Sequence, residues 1–367
     1  MKIIITLCIG LASFFPSTAQ KNKPLVIAYY AGRTSMIDSF EVEKLSHIIY
    51  SFCHLKGNRL EVDNDAAKRT IERMIKLKSR NPALKIMLSL GGWGGCERCS
   101  PVFSTDAGRQ EFALSVKELN DQLKTDGIDL DWEYPAIEGF PGHAFMPADK
   151  QNFTDLVVRL RKELGSKHEI SFAAGGFNKF IDSSIEWQKV MPLVDRVNLM
   201  SYDLINGGST ETGHHTALFS TPQQSESTDN GVKRLLAVGV AANKIVIGAA
   251  MYARVFAVAD TTGKGLYQKA KFLRYVPYRT FENNIDKPDW EKIFDTMAMA
   301  MFAFNASEKQ FATFDDELSV AAKTNYVVEK GLNGIMFWQL AEDRYRDGLL
   351  EIIFQSLQKP AIQTKAK

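Results

Sequence analysis

Three acidic side chains alternate with apolar ones in the stretch Asp126-Gly127-Ile128-Asp129-Leu130-Asp131-Trp132-Glu133-Tyr134-Pro135. A β-strand sends residues i, i+2 and i+4 to one face. Asp129, Asp131 and Glu133 therefore form a row of carboxylates, with Leu130 and Trp132 on the opposite side. Stability does not favour such a row, because like charges at this spacing repel and burial adds to the cost. Chemistry does favour it: the repulsion keeps at least one proton on the row near neutral pH, as a general acid requires. A solvated edge strand does not fit the flanking Ile128, Leu130, Trp132 and Tyr134-Pro135. A calcium loop of the EF-hand type needs a Gly after its third acidic position and a Glu at its end, whereas Tyr134-Pro135 follow here. Asp126 is out of step with the row and reads as a structural residue that holds backbone at the start of the strand.

The elements that carry the row are legible as apolar, β-branched runs. They are 24–30, 46–52, 85–91, 127–133, 169–175, 196–202, 244–251 and 334–339. Helical periods lie between them, among others 106–124, 150–164, 231–238 and 319–330. Alternation of strand and helix predicts a parallel sheet, and eight such units predict an α/β fold of the (β/α)8 TIM-barrel type. The strand runs are almost continuously apolar, as parallel strands covered on both faces must be. Function in such a barrel sits at the C-terminal ends of the strands. Glu133 falls there on the fourth strand, Tyr202 on the sixth and Trp338 on the eighth. The 86 positions from Tyr252 to Trp338 exceed what one helix needs. A small insertion over 254–314, between strands 7 and 8, is predicted; it carries Tyr267, Tyr275, Tyr278, Phe281 and Trp290.

The 367 residues are 45% hydrophobic and 24% charged, with a net charge of +2. That is ordinary globular composition, and nothing in it points to a nucleic-acid partner. Lys2 followed by the apolar run 3–15 and Ser17-Thr18-Ala19 reads as a signal peptide over 1–19. The expected location is secreted or periplasmic, with no membrane span, and the expected state is a monomer. The barrel then occupies 20–358, with a flexible tail over 359–367. Cys8 leaves with the signal and Cys53 reads as a buried free thiol. Cys96 and Cys99, in a Gly-rich loop, are expected to form a short-loop disulfide in an oxidising compartment; a lone CxxC offers too few ligands for structural zinc. His214-His215 read as residues that only shape their loop. No metal and no cofactor is implied.

Asp126, Asp129, Asp131 and Glu133 match the DxxDxDxE motif of the family 18 glycoside hydrolases, the chitinase family. Ser89-Leu90-Gly91-Gly92-Trp93 resembles that family's third-strand motif, Met200-Ser201-Tyr202-Asp203 its sixth, and Gly334-Ile335-Met336-Phe337-Trp338 its eighth. In order and spacing the resemblance covers about residues 24 to 357. It implies an α+β character for the insertion, as one wall of a substrate cleft. It also implies substrate-assisted hydrolysis, an exception to the two-carboxylate rule of most glycosidases. In that scheme Glu133 is the acid and base, Asp131 orients the substrate's 2-acetamido group, Asp129 pairs with Asp131 by sharing a proton, and Tyr202 bonds the acetamido oxygen. Trp338 forms the floor, with Trp93, Tyr29 and Phe52 lining the cleft. Asp203, Met200, Tyr252 and Arg254 also match cleft positions, although Met200 and Tyr252 fit the barrel core equally well and a lone Arg such as Arg254 is more often solvated or salt-bridged.

The expected partner is chitin or chitooligosaccharides, cut at β-1,4 links between N-acetylglucosamine units. An endo-β-N-acetylglucosaminidase acting on N-glycans and a chitin-binding lectin are the alternatives. The lectin requires loss of the acid, which is present here. Peptidoglycan meets the same chemical requirement, because muramic acid also carries an acetamido group. The loop 204–209 lacks the aromatic that the family often has there, which predicts weak binding of leaving-group sugars.

Overall fold

The computed structural model describes residues 23–359, so the signal peptide, Cys8 and the tail from 360 onward lie outside the described residues. Eight strands run parallel: β1 (Leu25–Tyr30), β2 (His47–Lys56, extended by the antiparallel β3, Arg59–Glu61), β4 (Lys85–Gly91), β5 (Gly127–Asp131), β6 (Glu169–Gly175), β7 (Arg196–Met200), β8 (Ile245–Ala250) and, after the insertion, the strand Gly334–Trp338. The last pairs with β1 and β8, and β1 also pairs with β2, which closes the sheet into a barrel. Around it pack α1 (Asp65–Lys76), α2 (Cys99–Phe103), α3 (Asp106–Leu123), α4 (Asp149–Leu164), α5 (Asn178–Ser183), α6 (Trp187–Val190), α7 (Thr228–Ala237), α8 (Glu317–Lys330) and α9 (Leu349–Gln358). Apolar residues such as Ile128, Leu130 and Trp132 face outward into the layer between strands and helices.

Inside the barrel a smaller cluster joins Tyr29, Tyr202, Tyr252, Met87 and Met336. At the N-terminal ends of the strands, Glu169 accepts from Arg196 Nη2 at 2.6 Å and sits 2.9 Å from His47 Nε2. This polar layer lies at the base of the barrel, while the carboxylate row reaches toward the opposite rim.

The insertion is a five-stranded antiparallel sheet in the order β10-β9-β13-β12-β11. Its strands are β9 (Tyr252–Val258), β10 (Ala270–Pro277), β11 (Glu291–Asp295), β12 (Ala300–Asn305) and β13 (Gln310–Phe314). The sheet begins at Tyr252, two residues before the expected start, because Tyr252 and Ala253 already pair with Pro277 and Val276. Its helical content among the described residues is two 3-10 segments, at Thr262–Gly265 and Tyr278–Asn283. The final barrel strand, Gly334–Trp338, is β14.

The sheet does not touch the barrel through apolar packing alone. Residues of the long loop after β7 bond repeatedly to the insertion's strands and to the segments that flank them. Thr212 N donates to Gln268 O at 2.8 Å, Ala270 N to Thr210 O at 2.8 Å, and Leu218 N to Ala298 O at 3.0 Å. Below this seam Asp315 is buried with Lys323 of α8, 2.7 Å from its Nζ, and also accepts from Thr216 Oγ1 at 3.0 Å and from the backbone of Ala250 at 2.9 Å.

Candidate active site

Each acid of the row has a different environment. Asp129 lies mid-strand and is fully buried. Its two oxygens accept from Ser171 Oγ at 2.6 Å, Asn198 Nδ2 at 3.1 Å, Tyr29 Oη at 3.0 Å and Ser89 Oγ at 3.1 Å. The donors come from four different barrel strands. Ser89, Asp129 and Ser171 are direct register partners across β4, β5 and β6. Burial raises the Asp129 carboxyl, and these neutral donors work against that rise.

Asp131 is buried at the end of β5, and its Oδ1 has no hydrogen-bond partner among the described residues. Burial, then the charge of Glu133, then that of Asp129 push its carboxyl well above the ordinary range. The expected hydrogen bond between Asp129 and Asp131 is not formed. Both Asp129 oxygens are taken by neutral donors, so Asp129 acts on Asp131 through its charge. Glu133 follows the strand and is half-buried. Burial pushes its carboxyl up to about 7, with a smaller contribution from Asp203. Desolvation is thus the first cause of proton retention on the row and mutual repulsion only the second, the reverse of what spacing alone suggests.

Two glycines make room for this arrangement. Gly91 has φ +106° and a Cβ there would meet the Asp131 carbonyl at 2.3 Å; Gly92 has φ +80° and a Cβ would meet the Phe52 ring. Only Gly adopts these backbone angles freely while allowing so close an approach. Cys96 and Cys99 are joined in a disulfide just beyond, with Cα atoms 5.0 Å apart, and Cys53 is a buried free thiol. Asp126 lies at the start of β5, where its Oδ2 accepts from the Ile86 backbone at 2.7 Å and from Lys78 Nζ at 2.6 Å.

Trp338 ends β14 and stacks on Phe52, with centroids 5.6 Å apart and planes at 13°; Tyr29 packs on it at 6.1 Å. Tyr202 is buried, and among the described residues its hydroxyl meets only the Met336 sulfur at 3.8 Å, so it keeps its donor capacity. Met200 packs half-buried against the same cluster. Trp93 is 58% exposed, with its edge against Phe140 at 5.5 Å. Phe145, from the same loop as Phe140, is also exposed and shares a recess with Glu133. An aromatic surface on the acid's side thus comes from the loop after β5, where the loop 204–209 offers none.

Asp203 joins the barrel to the insertion. It accepts from Tyr252 Oη at 2.7 Å and from Arg254 Nε at 2.5 Å, with Arg254 Nη2 on its second oxygen. His215 Nδ1 lies 3.5 Å away. Burial works to raise the Asp203 carboxyl, but His215 and Arg254 outweigh it and hold it well below the usual range. Arg254 is thus engaged by Asp203 rather than free to bind a ligand alone. Tyr252 stacks on Tyr275 of the insertion at 4.6 Å, and Tyr275 donates to Glu342.

His214 and His215 do more than shape their loop. His214 Nε2 contacts Asp295 of β11 at 2.9 Å, and the His215 backbone donates to Thr313 Oγ1 at 3.0 Å. Ser171 and Asn198 also escaped sequence reasoning. Their signal was a single polar residue inside each of two otherwise apolar strands.

The sequence model of Glycosyl hydrolases family 18 matches residues 25–343. Chitinase A1 of Niallia circulans is 34% identical over 299 residues, covering 75% of this chain and 43% of that protein. Chitinase 1 of Aphanocladium album is 26% identical, covering 89% of the chain and 82% of that protein. A family 18 N-acetylglucosaminidase from Paenibacillus barengoltzii superposes with a TM-score of 0.82 at 32% identity, covering 91% of this chain and 99% of that one. The multi-modular chitinase ChiW from Paenibacillus sp. superposes with a TM-score of 0.86 at 30% identity, covering 92% of this chain and 43% of that one.

Proposed function

The chain belongs to glycosyl hydrolase family 18, and from that premise we propose that it is a secreted or periplasmic chitinase that hydrolyses β-1,4 links between N-acetylglucosamine units with retention. The observation that carries this reading is the row itself. A half-buried Glu133 holds its proton up to about pH 7, beside a buried Asp131 with an unpartnered oxygen.

A sugar seated on the Trp338 face presents its anomeric carbon toward Glu133, which donates its proton to the glycosidic oxygen as that bond breaks. The carbonyl oxygen of the sugar's own acetamido group closes on the anomeric carbon as an oxazolinium ion. While Glu133 carries the row's proton, its charge no longer pushes Asp131 up; Asp131, ionised, accepts the acetamido N–H with the oxygen that lacks a partner, and its charge stabilises the developing cation. Tyr202, whose hydroxyl has no strong acceptor, donates to the acetamido oxygen and fixes its line of attack. Glu133, now ionised, takes a proton from water, which opens the ion on the face the leaving group left. Asp129 is a positioning residue, held by four donors so that its charge sits at one place beneath Asp131.

A second reading is an exo-acting N-acetylglucosaminidase, favoured by the likeness to the Paenibacillus barengoltzii protein over 99% of that chain. Mass spectrometry of products from N-acetylglucosamine hexamer, run beside a high-mannose glycoprotein, decides. Mostly dimer with the glycoprotein untouched is the expected result. Monomer from the earliest times moves the assignment to the exo enzyme, released N-glycans to an endo-N-acetylglucosaminidase, and no product to a lectin.

A further inference from the structure

A second recess opens at the barrel mouth, with a volume of about 310 Å³. Arg33 and Met36 reach it from the loop after β1, Arg279 from the insertion, and Gln339 and Glu342 from the segment after β14. β1 and β14 are neighbours in the barrel, and β5 with Glu133 lies across from them. Trp338, immediately before Gln339, stands between the two. In the reading above, the leaving group departs on the Glu133 side, so this recess takes the sugar unit that precedes the cleavage-site sugar. Its volume is at the small end for ligand pockets, suited to about one sugar residue.

Its chemistry differs from the rest of the cleft. Among the described residues no aromatic side chain lines it, so a sugar there is not held by stacking. Two guanidiniums face it instead. Among the described residues neither Arg33 nor Arg279 joins an ion pair, and these are the two arginines that line the recess. Arg279 Nη1 has only the Met36 sulfur at 4.0 Å. The one acid lining the recess, Glu342, is already occupied: Tyr275 donates to one oxygen and Gln339 Nε2 to the other at 3.1 Å. Burial pushes its carboxyl up to about 7, against the lowering effects of Tyr275, Gln339 and the nearby charge of Arg279, so one acid faces two guanidiniums. The recess is therefore cationic, with planar donors that suit a carboxylate. A neutral N-acetylglucosamine unit offers these guanidiniums hydroxyl and acetamido oxygens as acceptors but no charge to match theirs.

We propose that this recess binds a hexosamine bearing a carboxylate substituent, such as the lactyl ether of muramic acid, and that alternating glycan strands are cut after the N-acetylglucosamine that follows it. The proposal rests on the glycosidase reading of Glu133 and Trp338. It also sets the product ends: fragments carry N-acetylglucosamine, not muramic acid, at their reducing termini.

The test pairs two substrates, peptide-free peptidoglycan glycan strands and N-acetylglucosamine hexamer, with the wild type and the Arg33→Ala/Arg279→Ala variant. Both residues are exposed, and an Arg33→Lys/Arg279→Lys variant keeps the charge while removing the planar fork. Cleavage of both substrates by the wild type is expected, with N-acetylglucosamine at the new reducing ends of the strands. The alanine variant should lose about tenfold or more in kcat/KM on strands, the worth of one charge-assisted hydrogen bond, and several-fold less than that on the hexamer, whose sugar in the recess carries no charge. The lysine variant should retain part of the preference. Raising salt from about 0.05 to about 0.5 M should lower activity on strands relative to the hexamer, because exposed charges are screened. Strands left intact while the hexamer is cut, muramic acid at the new reducing ends, or equal losses on both substrates overturns the proposal. If the wild type cuts neither substrate, the glycosidase reading falls first and this one with it.

Discussion

Glu133→Gln should stabilise the folded protein at pH 8 and leave it almost unchanged at pH 4. Burial moves the carboxyl from its ordinary 4.5 to about 7. Between those values the folded chain holds a proton that the unfolded chain has released, so stability is present below about pH 4.5 and is lost as pH rises through about 7. A displacement of that size corresponds to about 3 kcal/mol. Glu133 is only half-buried, so solvent screening reduces the figure to roughly 1–3 kcal/mol. Asp131 adds in the same direction, since removing the neighbouring charge relieves it as well. Urea unfolding of wild type and variant at the two pH values measures the effect directly. An equal difference at pH 4 and pH 8, or a less stable variant at pH 8, refutes desolvation as the origin of the shift. The same variant should lose about 10²–10⁴-fold in turnover, the usual worth of a general acid, while still binding oligosaccharide; comparable turnover ends the role given to Glu133.

Asp203→Asn removes a negative charge that helps raise Glu133, so the alkaline limb of the kcat/KM profile should move to lower pH; a limb that stays or moves upward contradicts the electrostatic link. Trp93→Ala, at a side chain 58% exposed, should alter stability by less than about 0.5 kcal/mol but raise KM for the hexamer, as steady-state kinetics beside thermal unfolding will reveal. Lys323→Met leaves Asp315 buried without its cation and should cost about 3–5 kcal/mol in urea unfolding. Asp315→Asn/Lys323→Met should recover part of that loss, and no recovery would point to packing rather than charge.

The barrel was legible because its strands are continuous apolar runs with small residues at their ends, and burial on both faces permits little else. The row was legible because alternation places three acids on one face whatever surrounds them. What surrounds them was not. That Asp129 is occupied by Ser89, Ser171 and Asn198 depends on register between strands distant in sequence. The same holds for Arg254, which pattern reading could place on a ligand or in solvent, but which lies on Asp203 across a crossover. His214 and His215 were underread for a related reason: adjacent residues point apart, and each found a partner on a different strand of the insertion. The balance between burial and repulsion likewise depends on depth, which spacing does not encode.

The bonds between the loop after β7 and the five-stranded sheet bear on how this fold can be recombined. Asp203, Thr210, Thr212, His214, His215 and Leu218 each hold a residue of the insertion, on a strand or in a turn beside one. The part that can be exchanged between homologues is therefore discontinuous in sequence, comprising 203–219 together with 252–314. A chimaera that transplants the sheet alone arrives with donors and acceptors cut for another loop, and its seating on the barrel is set by whichever of them find a match.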